Sequence, residues 1–193
     1  MKTVIIQYNA GNITSVKFAL ERLGVDYILS NDPEIIMQAD RVIFPGVGEA
    51  SSTMKYLKEK KLDEIIRNLK QPVLGICLGM QLLCSYSEEG ETNCLGIIPV
   101  EVKKFKHNLK IPQIGWNSIF DYSDKLFNRI TENAYVYYVH GYYVPLCEYT
   151  MAKTEYGVKY SAAIRKNNFW GVQFHPEKSA EIGEQILKNF LYQ

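Results

Sequence analysis

Cys77 stands in "GICLG" (75–79), with a glycine two residues away on either side, where the apolar run "QPVLGI" meets the helix-like run "GMQLLCSYS". This G-x-nucleophile-x-G form is the one a nucleophile elbow takes. A nucleophile on a sharp strand-to-helix turn holds a strained backbone, and side chains at the flanking positions would collide with neighbouring elements. The same place sits at a helix N-terminus, whose partial positive charge favours a thiolate and whose free N–H groups can hold an oxyanion. On these five residues alone, a small cysteine packed at a tight turn is the competing reading. That reading suits Cys84, Cys94 and Cys147 better, since none has such a setting.

A cysteine nucleophile needs a base, and the chain has three histidines. His107 lies in the charged run "KKFKHNLK", His140 among the aromatics of "YYVHGYY", and His175 at the end of "GVQF", followed by Pro176 and Glu177. In an extended segment residues i and i+2 point the same way, which places Glu177 to hold the His175 ring and fix its tautomer. Proline between them stiffens the backbone and brings no competing donor. Cys77, His175 and Glu177 then form nucleophile, base and orienter, the constellation of acyl transfer. A plain turn at a strand end is the alternative for His-Pro-Glu. The run "FPGVGEAS" (44–51) adds a third piece, because Gly46 and Gly48 let backbone amides approach a ligand or turn over, as an oxyanion hole requires.

The frame that must bring these pieces together is legible as alternating strand and helix signals. "TVIIQY", "DYILS", "DRVIFP" and "QPVLGI" read as strands. Between them fall a polar turn "NAGN", a helix from about Thr14 to Leu23 stopped by Gly24, and one or two helices over 50–70 broken near Lys60. "GMQLLCSYS" reads as the helix after the elbow. Such βα units imply an α/β fold with a mostly parallel sheet and helices on both faces. Strand carboxyl ends share one edge of such a sheet, so the "FPGVG" loop, the elbow and His175 converge there. After Gly90 the chain turns β-rich, read as an antiparallel extension of the same sheet, and a helix over about 179–191 closes it. No Pro/Gly/Ser linker divides the parts, so residues 1–193 read as a single domain.

The totals narrow the function classes. A net charge of +1 offers no field for nucleic acid or an anionic membrane, and the opening apolar run is too short for a signal or a span. There is no G-x-x-x-x-G-K-[ST] phosphate loop. Four cysteines without a CxxC pair or zinc spacing suggest no metal, and with no export signal a reduced, cytoplasmic setting is expected; no cofactor is expected either.

With "FPGVG", "GICLGMQLL" and "GVQFHPEKS" in this order, the chain resembles the class I (triad) glutamine amidotransferases over essentially its whole length. "IPQIGWNSI", "YYVHGYY" and "HPEKS" look like the branch that serves histidine biosynthesis. The resemblance implies the family's mixed, mostly parallel sheet. It implies that Cys77 attacks glutamine, that His175 and Glu177 move the proton, and that amides of Leu78 and of Gly46-Val47-Gly48 hold the oxyanion. Gln81 and the His140-Gly141-Tyr142 segment match positions that hold glutamine. The implied partner is a (β/α)8-barrel cyclase subunit, faced by Trp116, Asn117, Tyr138 and Lys178, which uses the ammonia to form imidazole glycerol phosphate and AICAR from PRFAR. Two departures stand out: Gly141 replaces the branch's usual serine, and "EASS" lacks an aromatic common after the oxyanion loop. Three alternatives remain: a same-branch subunit feeding another synthase, a free-standing cysteine hydrolase or peptidase, and a catalytically silent binding subunit.

Overall fold

The computed structural model describes residues 1–8, 13–46 and 48–192. The "NAGN" turn and Val47 therefore lie outside the described residues. The strands are β1 (Thr3–Ile6), β2 (Tyr27–Ser30), β3 (Arg41–Phe44), β4 (Val73–Ile76), β5 (Tyr86–Ser87), β6 (Thr92–Asn93), β7 (Glu101–Lys104), β8 (Gln113–Ser118), β9 (Tyr135–His140), β10 (Tyr142–Tyr143), β11 (Thr150–Glu155), β12 (Lys159–Lys166) and β13 (Phe169–Val172). The helices are α1 (Thr14–Arg22), α2 (Pro33–Met37), α3 (Ala50–Glu59), α4 (Leu62–Asn68), α5 (Leu78–Leu83) and α6 (Ala180–Leu191).

The central sheet runs β11-β12-β13-β4-β3-β1-β2. Its five members from β13 to β2 are mutually parallel, and β12 and β11 continue it antiparallel. The parallel strands are apolar on both faces because both are covered. Ile5, Ile43 and Leu74 pack with α1 and α6, whereas Val4, Ile6, Val42, Phe44 and Val73 pack with α3, α4 and α5. Burying several such side chains, each favourable by about 1.5–3 kcal/mol, is what fixes the strand register.

Three expectations change. Only β11 and β12 extend the central sheet; β8–β9 and β10-β7-β5-β6 form two smaller sheets. The helix read over 79–87 ends at Leu83, after which the chain turns into the short strand β5. An unexpected helix, α2, occupies "PEIIM", started by Asp32, whose carboxylate accepts from Glu34 N, with Pro33 in the first turn.

Candidate active site

Three loops meet at the carboxyl edge of β3, β4 and β13. Cys77 follows β4 at φ 53° and ψ −109°, the strained corner of an elbow, and α5 begins at Leu78. The glycines around it are required by space. A Cβ on Gly46 would lie 2.1 Å from Gly79 N, and one on Gly79 would lie 2.0 Å from Phe44 O. The loop after β3 thus packs backbone to backbone on the elbow. Gly75 also lies close to α5, where a Cβ would meet Gly79 and Met80 backbone at 2.8 Å.

His175 leaves β13 in extended conformation, but Pro176–Lys178 form a 3-10 turn. The expected i, i+2 alignment of an extended segment is therefore not what joins the pair. The turn swings Glu177 back, and its Oε1 lies 2.8 Å from His175 Nδ1, with the two side chains 5% and 4% exposed. The other carboxylate oxygen, Oε2, is buried and finds no partner among the described residues, where the imidazole is the carboxylate's one hydrogen-bond partner. Burial opposes a charge on His175. The Cys77 sulfur, by charge and hydrogen bond, and then Glu177 outweigh it and raise the ring to about 10. A ring held protonated beside the sulfur is the proton donor that a departing amine needs.

Cys77 lies at the floor of a cleft of roughly 360 Å³, lined also by Gly46, Gly48, Leu78, Glu89, Gly141, Tyr142 and His175. Its thiol faces the Val139 carbonyl at 3.6 Å. Gln81 and His140 line the same cleft, yet their side chains are engaged within the protein. Gln81 Nε2 donates to Tyr142 O and to Gln173 Oε1, both at 3.0 Å. His140 Nδ1 meets Tyr142 O at 2.7 Å and Nε2 meets the Tyr160 hydroxyl at 3.1 Å. Burial, with a smaller push from His175, lowers His140 to about 4, so this ring stays neutral.

The residues expected to face a partner divide. Trp116 is 51% exposed, its ring edge-on to that of Tyr137 at 5.9 Å, and Lys178 is exposed at the cleft. Tyr138 is a correction: it is fully buried, because alternation along β9 turns Tyr137 outward and Tyr138 into the core. Asn117 also turns inward, donating to Thr154 Oγ1 and Glu155 O and so tying β8 to β11.

A family model, glutamine amidotransferase class-I, matches residues 4–193. The chain belongs to the class I glutamine amidotransferases. Relatives named imidazole glycerol phosphate synthase subunit HisH are similar over nearly the full length. The one from Bacteroides thetaiotaomicron is 56% identical, covering 99% of each chain, and that from Idiomarina loihiensis 48%, covering 99% of this chain and 97% of the other. Among solved structures, a putative GMP synthase protein from Thermoplasma acidophilum aligns with TM-score 0.75 at 21% identity. The match covers 99% of this chain and 92% of that one. A glutamine amidotransferase from Thermotoga maritima aligns at 0.68 and 20%, covering 99% and 82%. These distant likenesses agree in fold: an amidotransferase sheet with helices on both faces.

Several residues of this amidotransferase site were not singled out by sequence. Glu89 reaches the cleft from after β5 and accepts from Ala50 N at 2.9 Å, tying the start of α3 to the cleft wall. Ser179 Oγ donates to His175 O and accepts from Tyr137 N, while His175 N donates to Tyr137 O. These bonds fasten the histidine to β9. Gly183 gives the turn room: a Cβ there would lie 1.9 Å from Pro176 O. Only the "S" after "HPEK" hinted at any of this; the other contacts are made between distant segments.

Proposed function

We infer that this chain hydrolyses glutamine to glutamate and ammonia as the glutaminase subunit of imidazole glycerol phosphate synthase, in histidine biosynthesis. The observation that carries the chemistry is the buried Cys77–His175–Glu177 series, in which Cys77 and His175 line one cleft and the Glu177 carboxylate holds the ring's Nδ1. The near-full-length likeness to proteins of that name carries the assignment to this synthase.

In this reading the Cys77 thiolate attacks the glutamine side-chain carbonyl. Charge grows on the carbonyl oxygen, and the amide of Leu78 with those of the Gly46-Val47-Gly48 loop stabilises it. His175 gives its proton to the nitrogen, the C–N bond breaks, and ammonia leaves a glutamyl thioester. Water then attacks the thioester, with His175 taking its proton, and glutamate leaves as the thiolate is restored. Glu177 keeps the ring oriented and supports its positive charge. Gly141 and Tyr142 present backbone to the substrate, which suits a position where a side-chain hydroxyl is missing. Glu89 supplies the negative charge that suits the substrate's α-ammonium group.

Ammonia passes to a (β/α)8-barrel cyclase subunit, which converts PRFAR to imidazole glycerol phosphate and AICAR. The outward face of β8–β9 suits such docking: Ile114, Trp116 and Tyr135 are all more than half exposed, and Lys178 stands nearby on the cleft rim. Residues 1–193 act as one domain in the cytoplasm, a setting in keeping with four free cysteines. Among the described residues no helix is long and apolar enough to cross a membrane.

A chloroketone analogue of glutamine tests the chemistry. Peptide mass spectrometry should find it on Cys77, with glutamine protecting the residue. Labelling of other cysteines at the same rate, unaffected by glutamine, would contradict the reading.

A further inference from the structure

Gln173 is fully buried just beyond β13, two residues before His175, with its backbone N–H donated to Ala162 O at 2.8 Å. The direction of its side-chain amide is set by a series of contacts that starts at an atom able only to accept. That atom is the Tyr142 carbonyl oxygen. Gln81 must turn its NH2 group toward it, and does so at 3.0 Å. The same NH2 group meets Gln173 at 3.0 Å, so the atom facing it has to be Gln173 Oε1. With its oxygen so engaged, Gln173 turns its own NH2 group to Cys77 Sγ, 3.7 Å away.

We propose that Gln173 is a hydrogen-bond donor to the reacting sulfur, aimed by Gln81 and the Tyr142 carbonyl. The proposal rests on Cys77 being the nucleophile. Besides the His175 imidazole, the sulfur meets two groups of opposite character. Val139 O accepts from the thiol and so favours the protonated form. The Gln173 amide donates and favours the thiolate, and a bond to a charged acceptor is the stronger kind. Once the thioester forms, the sulfur is uncharged and a poor acceptor. The bond is therefore regained when thiolate leaves the tetrahedral intermediate during hydrolysis, which helps the second half of the reaction as well as the first.

The full chain carrying Gln173→Met, close in size but without a donor, and Gln173→Glu, the same shape with a carboxylate beside the sulfur, tests this. Iodoacetamide alkylation of Cys77 is followed by peptide mass spectrometry from pH 5.5 to 9.5, alongside glutamate release. In Gln173→Met the alkylation profile should move to higher pH by about one unit, with alkylation at pH 7 about tenfold slower. Gln173→Glu should move it further. kcat should fall while KM stays within about twofold of the parent, since the donor acts on the reacting atom. Superimposable profiles of the parent and a folded Gln173→Met variant would overturn the proposal. Cys77→Ala separates the two readings. If it still releases glutamate, the nucleophile assignment fails; if it is inactive while the Gln173 profiles are unchanged, only the hydrogen-bond proposal fails.

Discussion

Gly183 and Pro176 are in backbone contact: a methyl group at Gly183 would sit 1.9 Å from the Pro176 carbonyl oxygen. Helix α6 is thereby pressed onto the turn that carries Glu177. Gly183→Ala must push this turn away and with it the carboxylate that orients His175. The expected result is a destabilisation of about 1–3 kcal/mol in urea unfolding, and a fall in glutamate release larger than that loss explains. Glu181→Ala, exposed on the same helix, should leave both nearly unchanged.

Ser179 predicts a related but separable effect. Removing its hydroxyl leaves the Tyr137 amide without its acceptor and takes one of two donors from the His175 carbonyl, which keeps the Lys178 N–H. Ser179→Ala should cost about 1–3 kcal/mol and, by loosening His175 from β9, lower kcat with little change in KM. Denaturant midpoints and steady-state kinetics on the same preparation check both effects.

The two buried histidines give opposite limbs to stability against pH. His140 is lowered to about 4, so below its ordinary value of 6.5 the unfolded chain takes up a proton that the folded chain refuses. Stability should fall as pH drops from 6.5 toward 4, by on the order of 3 kcal/mol for this group alone. His175 is raised to about 10; its contribution is complete below 6.5 and lost as pH rises toward 10. Urea midpoints measured from pH 4 to 10 should lose the acid slope in His140→Gln and the alkaline slope in His175→Asn.

Neighbouring tyrosines on β9 should part company. Tyr138→Ala empties a fully buried site and should destabilise the fold by about 3 kcal/mol or more. Tyr137→Ala and Trp116→Ala should leave the denaturant midpoint nearly unchanged and weaken binding to the proposed cyclase partner, by about tenfold or more for Trp116. Titration of the partner, set beside unfolding curves, distinguishes the two classes.

This pair also shows what the sequence made legible and what it did not. The elbow was readable because Gly75, Cys77 and Gly79 answer a local steric demand within five residues. The parallel sheet was readable because strands such as "VLGI" are apolar without interruption, as burial on both faces requires. Tyr138 was misassigned because "YVYYVH" is aromatic or apolar at nearly every position, so alternation leaves no mark to tell inward from outward. The His175–Glu177 pairing was right and its expected extended geometry was not, since Pro176 begins a 3-10 turn instead of prolonging the strand. Gln173, Ser179 and Gly183 owe their places to contacts between segments, and a run of residue types carries no trace of those.

The most direct test of the central claim is glutamate release from glutamine by this chain, alone and with the cyclase holding its nucleotide ligand, beside Cys77→Ala. The account predicts slow release alone, a strong rise with the ligand-bound cyclase, and none from the variant in either condition. Release from Cys77→Ala equal to that of the parent chain would contradict it.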